Sequence, residues 1–178
     1  MLVGPAPPRR GCREHLLDQL GVQQAIIGGH SLGGAVALQL YSIAPTRFQG
    51  LILNDAAAFA PPIVEQNTWR GYQQQAPALG APSLMPLLLP EFLTGRTRAT
   101  RGGLVANVSK QINAASINGL VGGAHALETR PGYTSVFPTI TVPTLILFGE
   151  EDSLTPIEQA QTLNILIDGS KLVIIQGA

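Results

Sequence analysis

Residues 25–40 read AIIGGHSLGGAVALQL, and this stretch predicts a strand, a tight turn and a helix in that order. Ala25-Ile26-Ile27 is a short apolar run, typical of a buried strand. The glycine pair that follows is expected to break the strand. A helix is predicted over 32–44, and Pro45 ends it.

The segments on either side continue an alternating pattern. Leucines at helical spacing from Glu14 onward predict a helix that stops at Gly21. Leu51 to Asn54 is another short apolar run, so the chain forms a strand–helix–strand unit. Such units have parallel strands and a right-handed crossover, which predicts α/β architecture.

Residues 56–138 change character, because the strand signal disappears and a helical apolar stripe passes through Leu104, Val108 and Ile112. The alternating order then returns, with a helix predicted over 156–167. We therefore predict an irregular leader (1–13), a core in two pieces (14–55 and 139–178) and a helical insertion (56–138). The predicted parallel sheet has four strands, at 25–27, 51–54, 144–148 and 171–175.

Composition narrows the classes of partner. Eleven basic and eleven acidic residues cancel, so there is no overall field to favour nucleic acid or an anionic membrane. Neither an export signal nor a membrane-spanning apolar run is recognisable. Cys12 is the only cysteine, which excludes an intrachain disulfide and favours a cytoplasmic protein. We expect neither a metal nor a cofactor.

The insertion is mildly basic, with six basic residues against three acidic ones. Two interpretations are open: a solvated positive face, or a pocket that attracts carboxylates.

The motif Gly29-His30-Ser31-Leu32-Gly33 has the form G-x-S-x-G between a strand and a helix. A sharp turn there would expose the Ser31 hydroxyl, and the Leu32 amide at the helix start would face a developing oxyanion. Gly29 and Gly33 are expected to be required because a side chain would crowd the turn, and Gly34 because the helix approaches the sheet closely.

Two other interpretations of this turn are open. The serine can be incidental to a glycine-rich turn, or the turn can bind phosphate. A phosphate site needs a lysine or a dinucleotide glycine spacing, and neither accompanies this motif.

An acid that could orient a catalytic base is expected in the segment FGEEDSLTP, residues 148–156. Asp152 lies in the loop at the carboxyl end of a predicted strand, the same sheet edge as Ser31. The same residue could instead cap the following helix or belong to a solvated acidic loop. Asp55, directly after the strand at 51–54, is an alternative acid, although turn bonding also explains an Asn-Asp pair.

Three segments together, GGHSLGGAVALQL (28–40), LILND (51–55) and VPTLILFGEEDSLTP (142–156), resemble the α/β-hydrolase superfamily over residues 14–178. The serine esterase, lactonase and carbon–carbon hydrolase branch is the most similar. The resemblance implies that Ser31 is the nucleophile, that Asp152 is the acid and that residues 56–138 are a cap over the pocket. Epoxide hydrolases and dehalogenases are disfavoured because they attack with aspartate.

The chain also departs from that superfamily. The resemblance implies a catalytic histidine after the last strand and several strands before Glu14, so we expect this chain to be an internal piece of a fold with about eight strands. An open sheet edge is compatible with a homo-oligomer. His15 is placed on the opening helix, His30 is expected to point away from the site, and His125 in the insertion is the remaining candidate for a surrogate base.

The sequence therefore predicts a serine hydrolase of small carboxylic esters or lactones that acts through an acyl-enzyme on Ser31. Its partner is a small-molecule substrate, and activity depends on the missing histidine. One alternative is a non-catalytic module that binds a small apolar ligand in the capped pocket. Another is an incomplete product without independent function.

Overall fold

The fold is an α/β structure built on one parallel sheet. A computed structural model describes the backbone of residues 12–178, with side chains from Leu16 onward. Its four strands all run parallel, in the spatial order β1-β2-β3-β4. This confirms the predicted fold class. The strands are β1 (Ala25–His30), β2 (Phe48–Asn54), β3 (Thr144–Gly149) and β4 (Lys171–Ile175).

Helices connect the strands and form the insertion. Three belong to the core: α1 (Cys12–Gln19), α2 (Leu32–Ile43) and α8 (Ile157–Leu166). Five lie between β2 and β3: α3 (Ile63–Leu79), α4 (Met85–Phe92), α5 (Gly95–Thr100), α6 (Gly102–Ala114) and α7 (Ile117–Thr129). None of these helices in the described part of the chain is long and apolar enough to cross a membrane.

The first strand is longer than predicted, because the glycine pair does not break it. Gly28 and Gly29 stay in register with Ile52 and Leu53 of β2, and the strand runs on to His30. Glycine keeps both backbone hydrogen-bonding groups, so it can continue a ladder. A Cβ on Gly28 would lie 2.9 Å from the Cβ of Ile52, so this position has little room for a side chain.

The first helix that the structure describes begins at Cys12, two residues before the predicted start at Glu14. The remainder of the predicted leader, residues 1–11, lies outside the described residues, as does the side chain of His15.

The two faces of the sheet differ in burial. One face packs under α2 and α8, and its central side chains are fully buried: Leu51, Leu53, Ile146 and Phe148. The register places six apolar side chains on the opposite face: Ile26, Ile52, Leu145, Leu147, Val173 and Ile175. We call this set the open face. It is partly accessible to solvent, with Ile26 66% exposed.

The insertion has an apolar core of its own. Helices α3 and α7 pack along each other. The buried side chains of this second core come from four of the five helices and the turn before α4: Trp69, Tyr72, Ala76, Leu84, Leu88, Ile112 and Ala124. Leu127 packs against both this cluster and the core around the sheet. Leu127 therefore links the two apolar cores.

Hydrogen bonds hold the two ends of the insertion together. The backbone N–H of Tyr133 donates to the carbonyl of Ala58 (3.0 Å). Arg130, only 7% exposed, donates to Glu65 Oε1 (2.7 Å) and Oε2 (3.0 Å), and its Nε donates to the Phe59 carbonyl (2.9 Å). This arginine therefore ties the end of α7 to the start of the insertion.

Candidate active site

The carboxyl ends of β1, β2 and β3 meet at a cavity of about 320 Å³. Parallel strands bring the loops that follow them to one edge of a sheet, which is where ligand sites of such sheets occur. Ser31, Asp55 and Asp152 follow β1, β2 and β3, and all three line this cavity. The structure therefore brings together the predicted nucleophile and both predicted acids. We call it the acidic cavity.

Ser31 lies in a strained backbone conformation, with φ 51° and ψ −119°. A residue with a side chain adopts such angles only when its surroundings enforce them, at a cost of about 1–3 kcal/mol. Here Ser31 N–H donates to the Asn54 carbonyl (3.0 Å), and Ser31 C=O accepts from the amides of Gly34 (2.9 Å) and Ala57 (3.0 Å). These three bonds hold the turn between β1 and α2 in place.

The glycines around Ser31 have different surroundings. A Cβ on Gly29 would overlap the carbonyl group of Gly33, and one on Gly34 would overlap the Cβ of Ala56. Both glycines are therefore required by close backbone approach, as expected from the sequence. The expectation for Gly33 is wrong, because a Cβ there would meet open space within 4 Å.

Helix α2 begins at Leu32, immediately after Ser31. The first N–H groups of a helix have no partner within the helix, and the Ser31 side chain does not cap this one. The position is suitable for stabilising negative charge beside Ser31. The role of the Leu32 amide as an oxyanion donor stays a prediction.

The carboxylate of Asp152 is held within its own loop. Oδ1 accepts from the amides of Leu154 (2.7 Å) and Thr155 (3.0 Å), and Oδ2 accepts from the Thr155 hydroxyl (2.6 Å). The cap position of α8 is Pro156, so Asp152 does not cap that helix directly. These bonds fix the orientation of the carboxylate at the wall of the acidic cavity.

Asp55 lies beside Asp152 and has its own backbone contact. Its φ is 41°, and its Oδ1 accepts from the Gly149 amide (2.8 Å). Burial raises the pKa of the Asp55 carboxyl above its ordinary value of 3.8; the bond from Gly149 opposes this rise, and the neighbouring Asp152 adds to it. The Asp152 carboxylate therefore lies close enough to raise the pKa of Asp55.

The histidines with described side chains occupy different places. His30 lines the acidic cavity, with Nε2 3.8 Å from Asp55 Oδ2, so the expectation that it points away is wrong. The end of β1 lies at the cavity edge, which explains its position. His125 is 65% exposed, with Nδ1 4.0 Å from Glu128 Oε2, and it is absent from the described lining of this cavity.

A second cavity, also of about 320 Å³, lies between Ser31 and the insertion. We call it the apolar cavity. Its walls carry Trp69 and Tyr72 from α3, Leu88 from α4, and Leu120 and Leu127 from α7. Ser31, His30, Phe92 and Leu154 line both cavities, so the serine stands where the two meet.

Sequence reasoning missed the residues that the insertion contributes to the apolar cavity. The one available signal was the pair Trp69 and Tyr72, three residues apart on one side of α3. That spacing indicates a shared face, but an ordinary helical core shows the same spacing.

Glu91 was also missed, and its carboxyl is largely enclosed at the wall of the acidic cavity. Oε1 accepts from the Tyr72 hydroxyl (2.9 Å), whereas Oε2 is buried without a hydrogen-bond partner among the described residues. Burial raises the pKa of the Glu91 carboxyl, and the bond from Tyr72 opposes that rise. Burial and the neighbouring carboxylate in turn raise the pKa of Tyr72.

The basic residues of the insertion lie elsewhere. Arg70 pairs with Glu128 (2.6 Å) and Arg130 with Glu65, while the other four are exposed: Arg96, Arg98, Arg101 and Lys110. In the described lining of both cavities there is neither lysine nor arginine. Residues 16–178 also show no group of three or more His, Cys, Asp or Glu side chains that could hold a metal ion.

Comparison with known proteins gives consistent results. Residues 13–178 match the family described as the alpha/beta hydrolase fold. A putative carbamate hydrolase, RutD, from Pseudomonas savastanoi pv. phaseolicola is 27% identical over 166 residues, which are 90% of this chain and 62% of that protein.

Two solved structures are similar. A thermophilic esterase from Thermogutta terrifontis has a TM-score of 0.84 and 25% identity, covering 90% of this chain and 60% of that one. An enol-lactonase from Burkholderia xenovorans LB400 has a TM-score of 0.85 and 22% identity, covering 93% and 62%. The chain thus spans about 60% of the length of the proteins it matches.

Proposed function

We propose, because this chain belongs to the alpha/beta hydrolase fold family, that it carries the acyl-transfer site of a hydrolase of small carboxylic esters or lactones. The observation that supports this most is the strained Ser31 at the meeting point of two cavities, next to the start of α2. The names of the esterase and the lactonase among its structural relatives agree with this substrate class.

In this proposal Ser31 Oγ attacks the substrate carbonyl and forms a C–O bond, while a histidine accepts the hydroxyl proton. The Leu32 amide donates to the resulting oxyanion. The histidine then returns its proton to the leaving alkoxide as the ester bond breaks. Water hydrolyses the acyl-enzyme by the same route in reverse, which releases the acid and restores Ser31.

The role of the acid goes to Asp152. Its carboxylate is oriented by three hydrogen bonds at the wall of the acidic cavity, so it can hold the histidine in one tautomer. Asp55 is the alternative acid, and its bond from the Gly149 amide leaves Oδ2 facing the imidazole of His30.

The base is proposed to be a histidine of the longer protein, after β4. His125 does not reach the described cavity lining, and His30 directly precedes the nucleophile in the turn. Residues 56–138 are proposed as the cap over the substrate. A cytoplasmic location is also proposed, supported by the single cysteine.

A fluorophosphonate label tests the proposal. The folded chain should react at Ser31, as mapped by peptide mass spectrometry, and the Ser31→Ala variant should not. Added imidazole should speed both the labelling and the turnover of p-nitrophenyl acetate, because it can replace a base that is not part of this chain.

Ser153 supplies the matched control, since it is a second serine in the lining of the acidic cavity. Ser153→Ala should keep the label. Labelling that depends on Ser153, or none at Ser31 with imidazole present, would contradict the proposal. Absence of labelling at Ser31, together with ligand-induced thermal stabilisation of the chain, would favour the non-catalytic binding module.

A further inference from the structure

The two cavities at Ser31 differ in chemistry, which bears on the part of a substrate that each can receive. Four carboxyl groups line the acidic cavity: Asp55, Glu91, Glu151 and Asp152. The walls of the apolar cavity are almost entirely hydrocarbon. A substrate carbonyl at Ser31 would therefore have a polar side and an apolar side.

Ser31 and His30 lie where the apolar cavity meets the acidic cavity. Beyond them, the polar side-chain atoms of the apolar cavity already have partners. Trp69 Nε1–H donates to Glu65 Oε1 (2.8 Å), and the Tyr72 hydroxyl donates to Glu91 Oε1 (2.9 Å). A carboxylate placed beyond Ser31 and His30 meets no free side-chain donor and no cation in the described lining, so it loses its hydration without compensation. The neighbouring carboxyl groups add repulsion of like charge.

The insertion's basic residues do not offset the lost hydration or the repulsion of a bound carboxylate. Arg70 and Arg130 are paired with Glu128 and Glu65, and the remaining cations are exposed outside the described lining. A net surplus of positive charge in the insertion therefore does not reach the site.

We infer that the apolar cavity receives the uncharged acyl group of the substrate, and that the site rejects acyl groups that carry a second carboxylate. This rests on the proposed function, because it takes Ser31 as the point of attack. The volume of about 320 Å³ is at the lower end of the usual range for small-molecule sites and suits a short aliphatic or cyclic acyl group.

Trp69 allows the inference to be tested without turnover. It is the only tryptophan of the chain and lines the apolar cavity, so its fluorescence reports binding there. The experiment uses the Ser31→Ala variant and two ligands of equal length, methyl hexanoate and monomethyl adipate. We expect the Kd for methyl hexanoate to be at least tenfold lower.

Gly123 offers a position at which a cation can be added. It lies in α7 and lines the apolar cavity, and a Cβ there would meet nothing within 4 Å. Because glycine is a poor helix former, Gly123→Lys should not weaken α7. The added ammonium should bring the ratio of the two Kd values to about one or reverse it.

Gly122 is the matched control. It is the adjacent residue of α7, equally free of neighbours at Cβ, exposed, and absent from the cavity lining. Gly122→Lys changes net charge and helix propensity in the same way, so it should leave the ratio unchanged.

Three results would overturn the inference: equal binding of the two ligands, no fluorescence response to methyl hexanoate, or the same effect from both lysine variants. If Gly123→Lys does not fold, the ratio in the Ser31→Ala protein decides. Failure of the proposed function is seen separately, as an absence of Ser31 labelling while the ratio of Kd values persists.

Discussion

Two glycines in the turn around Ser31 form a matched pair for substitution. Gly29→Ala would drive a methyl group into the Gly33 carbonyl, whereas Gly33→Ala would add one in open space. Overpacking of this kind typically costs 1–3 kcal/mol, so we expect Gly29→Ala to lower the free energy of unfolding by about 2–3 kcal/mol. Gly33→Ala should leave it unchanged or slightly higher. Urea denaturation measures both, and equal losses would contradict the close approach at Gly29.

Asp55 should give the stability of the chain a specific pH dependence. Burial raises its pKa in the folded state above 3.8, so the folded chain binds this proton more tightly than the unfolded chain. The contribution of Asp55 to the free energy of unfolding therefore falls as pH rises from below 3.8 through the raised pKa. Asp55→Asn, which keeps an acceptor for the Gly149 amide, should stabilise the chain above that window and lose this advantage below it.

Urea denaturation at a series of pH values measures the effect. Asp168→Asn is the control, because it removes a carboxyl that is exposed to solvent, in the turn after α8. A difference between Asp55→Asn and the parent that does not vary with pH would refute the prediction.

Among the elements, the ion pair between Arg130 and Glu65 helps to join the two ends of the insertion. Arg130 is 7% exposed and bonds to Glu65 and the Phe59 carbonyl. Arg130→Met would leave the Glu65 carboxylate without its cation. Breaking a buried pair costs about 3–5 kcal/mol, and the 26% exposure of Glu65 reduces this to about 2–4 kcal/mol. We expect that loss in denaturation, together with faster proteolysis between Phe59 and Glu65.

The pair formed by Arg70 and Glu128 provides the comparison, because Arg70 is 48% exposed. Arg70→Met should cost only about 0–1 kcal/mol, because Arg70 is half-exposed and Glu128 keeps its hydrogen bond from Gln73 (2.6 Å). Equal losses for the two variants would show that Arg130 does not join the ends of the insertion.

The elements show which features can be read from local sequence. The turn at Ser31 and the position of Asp152 follow from short patterns, since each depends on a strand end and a few neighbouring residues. The walls of the apolar cavity depend on how α3, α4 and α7 pack, and no short pattern encodes that packing. The bond between Tyr72 and Glu91 joins residues 19 positions apart and could not be predicted.

For the molecule as a whole, the open face is the surface most prone to association between chains. Its six apolar side chains are in register on four strands, and contiguous exposed apolar surface promotes association. We expect this chain to associate at micromolar concentration, and Ile26→Lys to reduce the association. Analytical ultracentrifugation measures it.

Ile165→Lys is the control, because Ile165 is 79% exposed but lies on α8 rather than on the open face. An equal reduction by both variants would assign the effect to net charge. A monodisperse parent chain would contradict the prediction that the open face promotes association.

The hydrogen bond between Tyr133 and Ala58 has a consequence for how such a protein can diversify. It brings the departure and return points of the insertion together, so everything between them is one contiguous segment attached at one place. Ser31, Asp55 and Asp152 all lie outside that segment, whereas most of the apolar cavity lies within it. Recombination that exchanges residues 59–132 would therefore replace most of the apolar cavity while leaving Ser31, Asp55 and Asp152 in place.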